Sequence, residues 1–260
     1  MACHDSGSNP VIAMPPVFEE LDFQSTPLGD ISLRRRTEPR LADQMIYEVK
    51  LGDEFLMSSL FVDGEIALAR LALATQNQAN SDAGLDVVVG GLGLGYTAAA
   101  ALEHDAVTSV VVIDVMEAVI EWHRRGLVPM GNRLSSDQRV TLHHGDFFKM
   151  ALSASIGFGI GGHQKQVHAV LLDIDHSPSH WLNPGNGAFY SIAGLQAIDA
   201  KLLPGGVFGL WSNDPPETSF TNLMETVFDS VSSHIVRFPN PYTDASSTNT
   251  VYLGLKTRNT

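Results

Sequence analysis

The chain has 260 residues, 44% hydrophobic and 17% charged, enough to bury one large core with room for a small appended element. Sixteen basic against twenty-nine acidic side chains give a net charge of −13, which repels nucleic-acid phosphates and anionic membranes and removes both from the expected partners. Cys3 is the single cysteine, so no intrachain disulfide and no cysteine metal cluster can form; with no signal-peptide pattern and no apolar run near the roughly 20 residues that span a bilayer, a soluble cytoplasmic protein is expected.

Residues 1–16 are polar, end in Pro15-Pro16 and read as a disordered tail. Residues 17–64 read as a small antiparallel β-hairpin element. Its β-rich runs, 30–34, 45–50 and 54–58, are separated by the turn signals Leu28-Gly29-Asp30 and Leu51-Gly52-Asp53. The segment EIALARLALAT, 65–75, has helical composition and spacing. From there to residue 260 apolar runs alternate with helix-length segments. Strands are expected at 86–89, 109–113, 140–143, 167–172, 207–211, 234–238 and 251–255, and helices at 96–104, 116–126, 187–202 and 219–232. Continuous Val/Leu/Ile strands between helices predict an α/β, Rossmann-like, mostly parallel seven-stranded sheet of the methyltransferase type. The loop FPNPYTDASSTNT leaves no room for a crossover helix, so the last two strands are expected to pair antiparallel. Residues 153–166, SASIGFGIGGHQKQ, read as a glycine-rich excursion, and Arg34-Arg35-Arg36 as a solvated edge-strand feature.

The first parallel strand runs into Gly90-Gly91-Leu92-Gly93-Leu94-Gly95 and then a helix. Glycines at Gly91, Gly93 and Gly95 let the backbone approach a ligand closely. Asp114 follows Gly91 by twenty-three residues, at the end of the next strand, where with its neighbour Val115 it can receive the ribose hydroxyls of a nucleoside. The spacing lacks the final G-x-x-G of a dinucleotide loop, which favours a nucleoside without a pyrophosphate. The third strand leads into His143-His144-Gly145-Asp146-Phe147-Phe148. Asp146 there either meets an adenine amino group, with Phe147 as a wall, or caps a short helix over 147–152. Asp173, Asp175, His176 and His180 fall within eight residues after the fourth strand. Alkyl transfer from a sulfonium needs an aligned, desolvated nucleophile and a proton acceptor. Asp173 is the first choice for that acceptor, with Asp175 or His176 sharing the role or capping a loop. No metal is expected, because no further spaced ligands converge on the cluster. Gln24 and Tyr47 either line the substrate mouth or pack. Packing is the simpler reading for Trp181, Phe189, Tyr190 and Trp211.

The segments VVVGGLGLGYTAAAAL, VVVIDVMEAVIEWHRR, HHGDFF, AVLLDIDHSP and FYSIAGLQAIDAKLLPGGVFGLW resemble the spermidine synthase-like family, a branch of the class I S-adenosylmethionine (SAM)-dependent methyltransferase fold. The resemblance runs from about Phe23 onward. It implies that Asp114 holds a ribose, that Asp146 contacts adenine, and that Asp173 binds and deprotonates an attacking amine; Glu65 falls where the family has a substrate-side glutamate. Two positions depart from the family. Its glycine loop carries an acid where this chain has Leu92 and Leu94, and its Asp-x-x-Asp-Pro motif has His176 in the second acidic slot here. The resemblance implies SAM or decarboxylated SAM as co-substrate, a small-molecule amine acceptor and a homodimer. The activity expected is an aminopropyltransferase-like alkylation of a polyamine, or methyl transfer on the same scaffold to a small-molecule or protein acceptor.

Overall fold

The computed structural model describes residues 16–76, 84–158, 166–243 and 245–256. The expected tail, all but its last residue, and the middle of the glycine-rich excursion lie outside the described residues. Four strands come first: β1 (Phe18–Thr26), β2 (Gly29–Glu38), β3 (Gln44–Leu51) and β4 (Glu54–Ser58). They form an antiparallel meander in the order β1-β2-β3-β4, a full small sheet where a hairpin element was expected. The added strand is β1, whose pattern is broken by a bulge between Glu20 and Asp22. A bulge flips the inside–outside alternation and so hides a strand from a period-two reading. Helix α1 (Asp63–Ala74) leads from this sheet into the larger one.

The rest of the chain alternates strand and helix. In order it runs β5 (Leu85–Gly90), α2 (Tyr96–Ala101), β6 (Val107–Asp114), α3 (Glu117–Arg124), α4 (Gly131–Ser136), β7 (Val140–His144), α5 (Phe147–Leu152), β8 (Val167–Leu172), α6 (Ile192–Lys201), β9 (Leu202–Ser212), α7 (Thr218–Glu225), β10 (Ser230–Asn240) and β11 (Ala245–Leu255). The seven strands are ordered β10-β11-β9-β8-β5-β6-β7. Five of them are parallel through β5, β6, β7, β8 and β9, while β11 is antiparallel to both its neighbours, β9 and β10. This is the α/β methyltransferase-type sheet expected, including the antiparallel pairing of the last two strands. Val87 and Val89 bury one face of β5 among Leu68, Ala98 and Ile120, and Val88 buries the other among Phe147, Phe189 and Phe208. A strand buried on both faces reads as a continuous apolar run, which is why VVV was informative. Ile31, Leu33 and Val49 of the small sheet enter the first of these two cores, so the small sheet is packed on the α1 side. Among the described residues no helix is long and apolar enough to cross a membrane.

The strand order reverses at β5, which has β6 on one side and β8 on the other. The carboxyl ends of β5 and β8 therefore frame the crevice where such sheets bind ligands. At that crevice the Asp173 amide donates to the Gly90 carbonyl at 2.8 Å.

The arginine run is a correction. β2 is an interior strand, paired with both β1 and β3, and the arginines are not solvated edge features. Arg34 Nε lies 2.6 Å from Glu48 Oε2, and Arg36 Nε lies 2.9 Å from Glu48 Oε1. Arg36 Nη1 also reaches Glu38 Oε2 at 2.7 Å, and the Tyr242 hydroxyl donates to the same oxygen at 2.8 Å. Glu48 is 4% exposed, so it is the charge on which two guanidiniums depend. Glu48→Ala should therefore cost about 1–3 kcal/mol, less than a fully buried pair because both arginines keep some contact with water. Urea unfolding checks it: the midpoint falls with the slope unchanged.

Candidate active site

The loop from Gly91 to Gly95 turns on three glycines with φ of +93°, +48° and +92° at Gly91, Gly93 and Gly95. Side chains crowd it from below: a Cβ on Gly93 would stand 2.7 Å from the Met57 sulfur, and one on Gly95 2.7 Å from the ring of His123. Asp114, at the end of β6, holds the loop in place. Its Oδ2 accepts from the Leu92 amide at 2.8 Å and its Oδ1 from the Met116 amide at 2.7 Å, and the Gly93 amide also contributes. Burial pushes its pKa up while these amides oppose the rise. A carboxylate oxygen has two acceptor positions, so this clamp leaves capacity for hydroxyl donors. Val115 beside it is exposed, and its carbonyl lies 3.1 Å from His144 Nε2.

The loop is gripped from its other side by a residue that the sequence reading passed over. His123, fully buried on α3, places Nε2 2.9 Å from the Gly93 carbonyl. A carbonyl only accepts, so Nε2 carries the proton. Burial lowers the ring's pKa to about 4, so it is neutral at physiological pH. Asp114 and His123 thus fix the two sides of one peptide turn.

Asp173 follows β8. Its backbone bond to Gly90 sets it at the crevice, and Thr97 Oγ1 donates to its Oδ2 at 2.6 Å. Glu65, in the first turn of α1, lines the same cleft, a small cavity of about 80 Å³ that also touches Tyr96, His176 and Trp211. Burial raises both carboxyl pKa values, Glu65 to about 8 and Asp173 to about 6, and the Asp173 charge adds to the rise at Glu65. Two carboxylates in one low-dielectric pocket resist ionising together, so these values belong to the pair. Burial and their mutual repulsion disfavour the doubly ionised state. Burial and the neighbouring Glu65 also raise the Tyr96 hydroxyl, which stays a neutral donor. Thr97, Tyr96 and Trp211 complete the site; the first two stand in the motif GLGLGYT but gave no chemical signal of their own.

The other sequence-selected residues divide between the cleft and the packing around it. Asp175 is 1% exposed and does not line the cleft. It accepts from the Leu182 amide at 2.8 Å, Asn186 Nδ2 at 2.9 Å and the Tyr190 hydroxyl at 2.9 Å, folding the segment between β8 and α6. His176 lines the cleft, with Nε2 2.9 Å from Glu54 Oε1 and its ring centroid 5.0 Å from that of His180. Asp146 caps α5 through the Lys149 amide at 3.0 Å. Phe147 is 2% exposed and packs under Gly90, stacked on Phe158, as core. Gln24 binds Asp22, which in turn accepts from Trp122 Nε1 at 2.6 Å, a seam between β1 and α3. Tyr47, half-buried on β3, packs against the first core and bonds Arg35. Of the four aromatics expected to pack, Phe189 and Tyr190 join the second core, Trp211 packs on the first core while also lining the cleft, and Trp181 is partly exposed and stacks on Tyr190. Among the described residues no group of three or more His, Cys, Asp or Glu side chains is placed to hold a metal ion.

No family model and no curated protein sequence matches the chain. Solved structures do match in fold. The chain is similar to a spermidine synthase in complex with the transition-state analogue AdoDATO, with a TM-score of 0.69 and 16% identity over 92% of this chain and 74% of that one. It is similar to the spermidine synthase from Thermotoga maritima, at 0.67 and 16% over 92% and 74%. It is also similar to human methyltransferase-like protein 13 in complex with SAH, at 0.50 and 18% over 74% and 79%. The fold is therefore the spermidine synthase-like form of the SAM-dependent methyltransferase fold, and its solved neighbours are transferases and a methyltransferase-like protein.

Proposed function

We infer that the chain is an alkyltransferase that takes its alkyl group from a SAM-type sulfonium nucleoside and gives it to an amine. The observation that carries this reading is that two buried carboxyls, Glu65 and Asp173, line one cleft at the ligand end of the sheet, beside a glycine loop clamped by Asp114. The residues suit such a nucleoside: the loop turns on glycines at positive φ beside the cleft, and Asp114 keeps acceptor capacity for a ribose. When bound, the donor supplies a carbon on cationic sulfur; the amine lone pair forms the C–N bond as the C–S bond breaks and its electrons return to a neutral thioether. The chain's own part is to orient and deprotonate. Asp173, held by Thr97, receives the ammonium and takes its proton, Glu65 shares that proton, and the apolar walls keep water from the nucleophile.

One observation favours methyl over aminopropyl transfer. Leu92 and Leu94 are buried at 5% and 3% exposure, so the glycine loop offers an aminopropyl ammonium no charge. The test begins with the nucleoside. S-adenosylhomocysteine and methylthioadenosine should each raise the Tm, by mass action on the folded state, and Asp114→Ala should remove most of that rise; hydrogen bonds to a charged acceptor contribute about 1.5–3 kcal/mol each. A shift from NAD larger than from either nucleoside would refute the reading. Product analysis with an amine then separates the donors, because methyl transfer leaves S-adenosylhomocysteine and aminopropyl transfer leaves methylthioadenosine.

A further inference from the structure

Around the Glu65–Asp173 pair the cleft is apolar. Leu56 and Met57 come from β4, Ile174 and Leu182 from the segment after β8, and Trp211 from β9. Among the described residues that line it, Glu65 and Asp173 are the only acids. The remaining titratable side chain on the wall besides Tyr96 is His176, and its Nε2 is already committed to Glu54 at 2.9 Å. Glu54 itself does not line the cleft. A linear diamine brings two ammonium groups into this space. The carboxylate pair can receive one. The other, at the far end of the chain, would stand against leucine and methionine, or beside the imidazole of His176. An ammonium left there loses its hydration without gaining a partner, whereas an alkyl end of the same length gains by burial.

We propose that the acceptor is a monoamine, one basic nitrogen on an apolar body. Its nitrogen sits at Glu65 and Asp173, and its hydrocarbon lies along Leu56, Met57, Ile174 and Leu182. The proposal rests on the amine-acceptor reading above and narrows it away from diamines and polyamines. His176 is the selecting element, because it puts an imidazole on the wall where a second ammonium would need a carboxylate, and Glu54, its partner at 2.9 Å, is not part of the lining.

The test compares 1-pentylamine with 1,4-diaminobutane, which differ by a methyl in place of one ammonium group. Initial rates are measured on the full chain with SAM and with decarboxylated SAM in separate reactions. The expected result is a kcat/KM roughly 10–100-fold higher for the monoamine, the scale set by leaving one charged group unpaired. His176→Asp places a carboxylate on the wall and should lower that ratio at least about tenfold by raising the diamine's kcat/KM. A wild-type preference for the diamine overturns the proposal and leaves the amine-acceptor reading standing. No turnover of any amine by a chain whose Tm responds to the nucleosides overturns both. If His176→Asp does not fold, the wild-type ratio decides alone; if it folds with an unchanged ratio, the selecting role of His176 is overturned.

Discussion

Asp173→Asn is expected to lower turnover by at least about a hundredfold while leaving nucleoside binding nearly unchanged. Asparagine keeps the side-chain shape and can still accept the Thr97 hydroxyl now 2.6 Å from Oδ2, so the β8 end and its bond to Gly90 should hold. The negative charge that receives the amine's proton is what is lost, and general-base contributions are typically about 10²–10⁴-fold. Asp114 and the glycine loop are untouched, so the Tm rise with S-adenosylhomocysteine should match the wild type. Single-turnover rates beside thermal shifts check both halves. Turnover that survives in a folded variant would move the chemistry to Glu65, the other carboxylate of the cleft.

The same pair sets the pH dependence. Wild-type turnover should rise as pH increases through about 6, the lower of the pair's two values, where the pair first becomes ionised, and Asp173→Asn should lose that rise. Stability runs the opposite way. Both carboxyls bind protons more tightly folded than unfolded, because burial raises their pKa from the ordinary values of 3.8 and 4.5. Between those values and about 8 the folded chain therefore holds more protons than the unfolded one, and stability falls as pH rises. Asp173→Asn should thus melt higher than the wild type at pH 8.5, with the gain disappearing toward pH 4. Two carboxyls kept in an apolar cleft at a cost in stability mark that cleft as a candidate functional site.

The parts of this molecule that were legible in the sequence are those with a local cause. VVVGGLGLGYT combines a strand buried on both faces with glycines at φ values other residues avoid, and both features are visible in composition. Asp114 and Asp173 were found because strand ends at one sheet edge recur at regular spacing. What was hidden depends on distant contacts or on weak local propensity. His123 looks like one polar residue in WHRR until the fold sets it under Gly93, thirty positions away. The helix expected over 219–232 stops at Glu225, because the chain must reach Ser230 in time to pair with Leu255. α4, GNRLSS, has poor helix formers and no periodic face. Asp175 is two residues from Asp173 in sequence, a spacing that would share one face in a strand, but the strand ends at Leu172 and the turn that follows buries Asp175 against Asn186 and Tyr190, which consume it.

Gly91→Ala is the substitution expected to damage fold and chemistry together. Gly91 has φ of +93°, a conformation that costs a side-chain-bearing residue about 1–3 kcal/mol. Its Cβ would also overlap the backbone carbonyl of Asp173, a rigid neighbour that cannot rotate away. The two effects separate against Gly52→Ala, in the β3–β4 turn, where φ is +58° and nothing lies within 4 Å of the new Cβ. Gly52→Ala should show the backbone cost alone, lowering the Tm by roughly 2–6 °C, and turnover should stay near the wild type. Gly91→Ala should lower the Tm further, because β8 must retreat to admit the methyl. Asp173 moves with β8, and a displacement of about 1 Å at such a group can cost on the order of a hundredfold in rate. Turnover measured well below the melting transition distinguishes this from simple unfolding. Equal Tm losses in the two variants, with turnover kept in Gly91→Ala, would show that the glycine loop and Asp173 are not packed as closely as this geometry requires.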